Sequence, residues 1–119
     1  MAAGRSNSEI SKNMSRSNRR APIVFAALGD ETRLTLMTRL SKGRRCSISQ
    51  LTEGTRLTRQ AITKHLRVLE KAGVVHATRA GRESVFEFDP RPVVEARSYL
   101  DRVSRQWDEV LERLRAYVE

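Results

Sequence analysis

From Pro22 the apolar residues run almost unbroken through Ile23, Val24, Phe25, Ala26, Ala27 and Leu28 to Gly29. This pattern predicts a short buried helix with proline in its first turn and glycine at its end. Asp30 is placed to cap a second helix with Leu36, Met37 and Leu40 inward, ending at Lys42-Gly43. A third, short helix is expected around Ile48 and Leu51, capped by Ser47 or Ser49 and broken near Gly54. Thr58 then caps a fourth, which runs to Gly73. On a helical wheel centred on Gln60, the residues Thr63, Lys64, Arg67 and Lys71 fall within about 60° of it, while Ile62, Leu66 and Leu69 lie opposite. One face of this helix suits a core and the other an anion.

After Gly73 the period shortens towards two. Val74 to Arg79 and Ser84 to Phe88 read as strands joined by Ala80-Gly81-Arg82-Glu83, a β-hairpin that ends at Asp89-Pro90. Phe86 and Phe88 share a face and are expected to pin the hairpin to the core. In the remaining segment Val93, Ala96, Leu100, Val103, Trp107, Val110, Leu114 and Tyr117 alternate by three and four positions. That heptad seam exceeds three repeats, more than a domain this small needs for itself. The fold class expected is mainly α with a small β-hairpin, a winged helix-turn-helix that dimerises through its terminal helices. Phe25, Leu100, Val103, Trp107, Val110 and Leu114 are the interface candidates.

At 119 residues the chain has room for one compact domain. The expected division is a disordered basic tail over 1–20 and a winged domain over 21–119, its dimerisation helix at about 91–118. The tail is rich in Ser, Asn and Arg with little to bury; it reads either as an arm adding phosphate contacts or as solvated filler. No run of about 18 apolar residues and no secretory h-region is visible, so a cytoplasmic protein is expected. The net charge is +9, and its distribution changes the picture. Residues 42–67 hold seven basic residues against Glu53, and residues 1–20 hold five against Glu9. The rest of the chain is close to neutral. Charge segregated into a tail and one central block suits a polyanion, and double-stranded DNA is the expected partner.

Two stretches carry a family resemblance. Ala27-Leu28-Gly29-Asp30-Glu31-Thr32-Arg33 with Leu36 and Leu40 is one, and Leu57 to Val75 (LTRQAITKHLRVLEKAGVV) is the other. They are similar to the ArsR/SmtB family of winged-helix repressors, and the similarity extends through the hairpin from Gly81-Arg82-Glu83 to Phe88-Asp89-Pro90. The resemblance implies a homodimer, joined by its first and last helices, that occupies an operator until an inducing signal lowers its affinity. Metal-sensing members of that family carry paired cysteines on the third helix, or carboxylates and histidines on the last. This chain has only Cys46, His65 and His76 as soft or imidazole donors, without ligand spacing. No metal and no cofactor are therefore expected, and the metal-independent, SdpR-like branch is the nearer match.

The residues expected on DNA are Arg44, Arg45, Arg56, Thr58, Arg59, Gln60, Thr63, Lys64, Arg67, Arg79 and Arg82. Of these, Arg59, Gln60, Thr63 and Lys64 are expected to read base edges, and the other cations, together with Lys42, to contact phosphates. Two alternatives stand beside this reading. A thiol-based redox sensor could use Cys46 with Arg44 and Arg45 as neighbours, and an RNA-binding module would need exposed aromatics to stack on bases. An enzyme is not expected, since no nucleophile elbow, P-loop or paired-carboxylate pattern occurs.

Overall fold

The computed structural model describes residues 19–118; most of the segment read as a basic tail lies outside them. Helix α1 occupies residues 19–28. It is followed by α2 (Glu31–Leu40), β1 (Cys46–Ser47), α3 (Ile48–Thr52), α4 (Arg59–Lys71), β2 (Val75–Ala80), β3 (Glu83–Phe88) and α5 (Arg91–Val118). The strands form one antiparallel sheet in the order β1-β3-β2.

The sequence rules for helix ends operate as expected. The carboxylate of Asp30 accepts from the Arg33 N–H at 3.0 Å and starts α2. Ser47 and Gln50 form a reciprocal capping box on α3, and the Thr58 hydroxyl accepts from Ala61 N–H to start α4. At the far end of α4, Gly73 N–H reaches Glu70 O and Val74 N–H reaches Leu69 O, with Gly73 at φ +79°. That double bond pattern requires a left-handed residue, which glycine adopts without steric cost.

One boundary needs correction: α1 includes Arg19 and Arg20, two residues of the segment read as tail, with Pro22 at the fourth described position of the helix. Ala21 is buried, and the Arg20 guanidinium reaches the Glu95 carboxylate of α5 at 3.4 Å, contacts that order this turn against the rest of the chain. The expected hairpin is present and is extended by one more strand. β1 adds a third strand, with Cys46 opposite Phe86 and Ser47 opposite Val85.

The hairpin turn falls where the sequence places it. Ala80 pairs with Glu83 and leaves only Gly81-Arg82 as the turn. Of these two, only Gly81 has a positive φ, +67°, the pattern of a type II′ connection.

The core gathers Val24 and Ala27 of α1, Leu36, Met37 and Leu40 of α2, Leu51 of α3, and Ile62, Leu66 and Leu69 of α4. Val74, Val75 and Phe86 close it from the sheet side, and Ala96 from α5. The first turns of α5 also bury Pro92 and pack Val93 and Tyr99 against this core. Trp107 is 61% exposed and Leu114 57%, so the heptad seam leaves the core behind after its first turns.

Candidate nucleic-acid interface

Helix α4 presents its polar side to solvent because its apolar side is fully used. Ile62, Leu66 and Leu69 have no accessible surface, while Gln60, Lys64, Arg67 and Lys71 are exposed. Thr63 is half-buried, and its hydroxyl donates back to Arg59 O at 2.7 Å. This leaves its oxygen only as an acceptor towards an outside donor.

Two arginines hold the surrounding helices in place. Arg33 of α2 donates to the Ala26 and Ala27 carbonyls at the end of α1, and its Nη1 lies 3.2 Å from His65 Nδ1 on α4. One guanidinium thus ties α1, α2 and α4 together. The Arg33 N–H on the Asp30 carboxylate, helped by the nearby guanidinium and His65, holds Asp30 below the usual carboxylate range against some desolvation. Arg39 does the equivalent for α3, donating to Gln50 O at 2.7 Å and Leu51 O at 2.8 Å. These bonds satisfy carbonyls that a five-residue helix cannot satisfy itself.

The wing is fixed at its base and free at its tip. Asp89, buried just before α5, accepts from Arg91 Nη2 at 2.7 Å and lies 2.7 Å from His76 Nε2 on β2. Arg91 above all, and then His76, hold the Asp89 carboxyl well below the usual carboxylate range, against the effect of burial. Arg79 and Arg82, towards the tip, are exposed.

The expected DNA-contacting residues fall into separate groups. Gln60, Thr63, Lys64 and Arg67 line up along α4, with Thr58 at its cap and Arg56 exposed just before it. Arg59 and Arg82 come together across a recess between α3, α4 and the wing. Lys42, Arg44 and Arg45 surround a different hollow of about 490 Å³, with Arg39 and Cys46. In that second group Arg45 already faces a carboxylate, its Nε 3.6 Å from Glu87. Cys46 is half-buried on β1, and its thiol donates to Arg44 O at 3.8 Å. Sequence reasoning missed Ser49 and Ser84 at the first recess. Serines beside the ends of a short helix and a strand carry no periodic signal, and only the fold brings them together.

None of the six aromatic side chains lies exposed on this basic face. Phe86 is buried, and Phe25, Phe88 and Tyr99 are half-buried. Trp107 and Tyr117, both exposed, stand on the outer part of α5.

A family model described as "Bacterial regulatory protein, arsR family" matches residues 30–77, from the cap of α2 into β2. The Bacillus subtilis HTH-type transcriptional regulator YuzN is 40% identical over 76 residues, which span 59% of this chain and 83% of that protein. The chain belongs to the ArsR family. It is a transcription regulator with a DNA-binding winged helix. An ArsR-like transcriptional regulator from Rhodococcus sp. RHA1 superposes with a TM-score of 0.75 at 32% identity, covering 86% of this chain and 95% of that one. The winged helix-turn-helix domain of Mb0332 from Mycobacterium bovis, described as homodimeric and DNA-binding, superposes with a TM-score of 0.59. It covers 88% of this chain and 92% of its own, and at 19% identity it shares the fold alone. Within this ArsR-family winged-helix frame β2–β3 is the wing, packed beside α4. No helix among the described residues is long and apolar enough to cross a membrane, and none of their His, Cys, Asp and Glu side chains form a group of three or more that could hold a metal ion.

Proposed function

We propose that this regulator is a repressor that binds a two-fold operator as a homodimer and switches without a metal. The observation that carries the reading is the division of α4 into a fully buried apolar side and an exposed side bearing Gln60, Lys64 and Arg67. Glutamine offers the paired donor and acceptor that match an adenine edge in the major groove, and lysine reaches guanine acceptors. The cations on α4 and the wing supply phosphate attraction that is independent of sequence.

The dimer rests on α5. Leu100, Trp107 and Leu114 are exposed and Val103 and Val110 half-exposed along one heptad seam, a surface a second copy would cover. Phe25 packs its ring 6.2 Å from Tyr99 of its own α5 and so places α1 beside that seam. Mb0332, which shares the fold, is described as homodimeric, and that self-association is the state proposed for this chain. Placement in the metal-independent, SdpR-like branch is supported by the donors present. His65 faces Arg33, His76 faces Asp89, and Cys46 lies apart from both.

The test is to retain genomic fragments on purified protein, sequence them, and footprint the strongest site. A palindromic footprint occupied by one dimer is expected, with affinity falling roughly 10³ to 10⁵ between 50 and 200 mM salt if six to ten phosphates are contacted. A salt-insensitive complex, or retention without any common motif, would overturn the reading. Titration with zinc that leaves operator affinity unchanged supports the metal-independent switch, and release by zinc contradicts it.

A further inference from the structure

Arg59 stands at the start of α4, where a side chain is well placed to read a base. Its Nη1 instead donates to Ser49 Oγ at 2.9 Å, so the guanidinium reaches across to α3. On the other side of the same recess stand Arg82, Glu83 and Ser84 of the wing, and Ile48 of α3 also lines it. The space is about 150 Å³, several times the roughly 30 Å³ that a water occupies. It is large enough for one tetrahedral oxyanion and too small for a base pair.

The lining is rich in donors. Arg59, Arg82, Ser47, Ser49 and Ser84 line it, against the single acidic residue Glu83, and Arg59 Nη1 already meets Ser49 Oγ there. Arginine forks match paired anionic oxygens, and serine hydroxyls add short donors to them. No aromatic side chain lines the recess, so nothing in it favours a stacked base. It also lies between α4 and the wing, where the backbone bordering an occupied major groove must pass.

The geometry points to a phosphodiester cradle: one DNA backbone phosphate is held between Arg59 and Arg82 with the Ser49 and Ser84 hydroxyls donating to it. Arg59 is then a residue that sets the register of the helix on the duplex, and base reading falls to Gln60, Thr63 and Lys64. Glu83 opposes the anion and sets an upper limit on this contact. The inference rests on the proposed docking of α4 on DNA and goes beyond it by assigning which groups hold the backbone.

Full-length protein and the variants Arg59→Ala, Arg59→Lys, Ser49→Ala, Glu83→Gln and Gln60→Ala would be titrated on the selected operator and on a random duplex across a salt series. The same operator would then be made with single methylphosphonate linkages, each removing one backbone charge. Arg59→Ala is expected to weaken both duplexes by the same factor, roughly tenfold, and to lower the salt slope by about 1. It should also abolish the sensitivity to one methylphosphonate position that the wild type shows. Arg59→Lys should keep most of the salt slope, Ser49→Ala should lose a part of the same phosphate sensitivity, and Glu83→Gln should tighten both duplexes. Loss of preference at one base pair in Arg59→Ala, with methylphosphonate sensitivity retained, would make Arg59 a base reader and overturn the cradle. So would a Glu83→Gln protein with unchanged affinity. Failure of the wild type to prefer its operator, with Gln60→Ala silent, would instead remove the base-reading role of α4, a separate result. Circular dichroism melts of each variant confirm that binding is compared between folded proteins.

Discussion

Replacing Trp107 by alanine removes the largest apolar group that the chain leaves uncovered. The residue is 61% exposed. A tryptophan can bury up to about 250 Å², so about 150 Å² stands open to a partner, and at about 25 cal/mol per Å² full coverage contributes at most about 4 kcal/mol. Alanine keeps a fraction of that contact, which places the loss at about 2–4 kcal/mol per protomer, the range of an interface hot spot. A two-fold interface contains the residue twice. The dimer dissociation constant should therefore rise by about 10³ or more. Sedimentation velocity over a dilution series reads this directly. Trp107 is also the chain's single tryptophan, so wild-type emission should shift to the red on dilution as the ring meets water. A Trp107→Ala protein that dimerises within tenfold of wild type would refute the assignment of the seam to self-association, as would a wild-type spectrum independent of concentration.

Three further outcomes follow from the structure. Gln60→Ala should relax preference at one base position by about 1–3 kcal/mol while leaving random-duplex affinity in place, as measured by competition with singly substituted operators; equal losses on all sequences would remove Gln60 from readout. Arg33→Ala should lower unfolding free energy by about 3 kcal/mol, because it frees the Ala26 and Ala27 carbonyls and His65 together, and Arg33→Lys should rescue little since a point charge cannot span three acceptors; a urea midpoint shift worth less than about 1 kcal/mol would show the hub to be dispensable. The folded Asp89 carboxyl titrates below its unfolded value, so its stabilisation is complete above about pH 5 and is lost as the pH falls through 4 and lower. The stability gap between wild type and Asp89→Asn, measured by urea unfolding, should narrow from pH 6 to pH 3, and a constant gap would contradict the pairing.

Much of the architecture is written locally. Asp30, Ser47 and Thr58 announce helix starts through their own side chains, and the buried side of α4 follows from the spacing of Ile62, Leu66 and Leu69 alone. The heptad seam of α5 was equally visible, although Leu111 and Val118, exposed beside it, widen the apolar face beyond a strict two-position stripe. What stayed hidden depends on contacts distant in sequence. β1 is two residues long, too short to show alternation, and is a strand only because Phe86 and Val85 lie beside it. Arg33 and Arg39 look like ordinary charged helix positions until the fold places the carbonyls of other helices within their reach. The start of α1 was misplaced for a similar reason, since the Arg20–Glu95 contact spans most of the chain. At the candidate interface the stripe on α4 was legible, whereas the meeting of Arg59 with Ser49 and with the wing required the turn at Gly81 and the strand pairing to be known.

From Ser104 to Val118 every side chain of α5 except Val110 is exposed. This half of the helix is held within its own chain by local hydrogen bonds, and isolated helical segments of such length are marginal in water. In the proposed dimer its order would therefore depend on how often one molecule meets another: scarce protein would leave the end of the helix uncovered, and accumulating protein would complete the fold and the two-fold reading head in the same step. Occupancy of a two-fold operator would then rise more steeply than protein level, a threshold that needs no second molecule to set it.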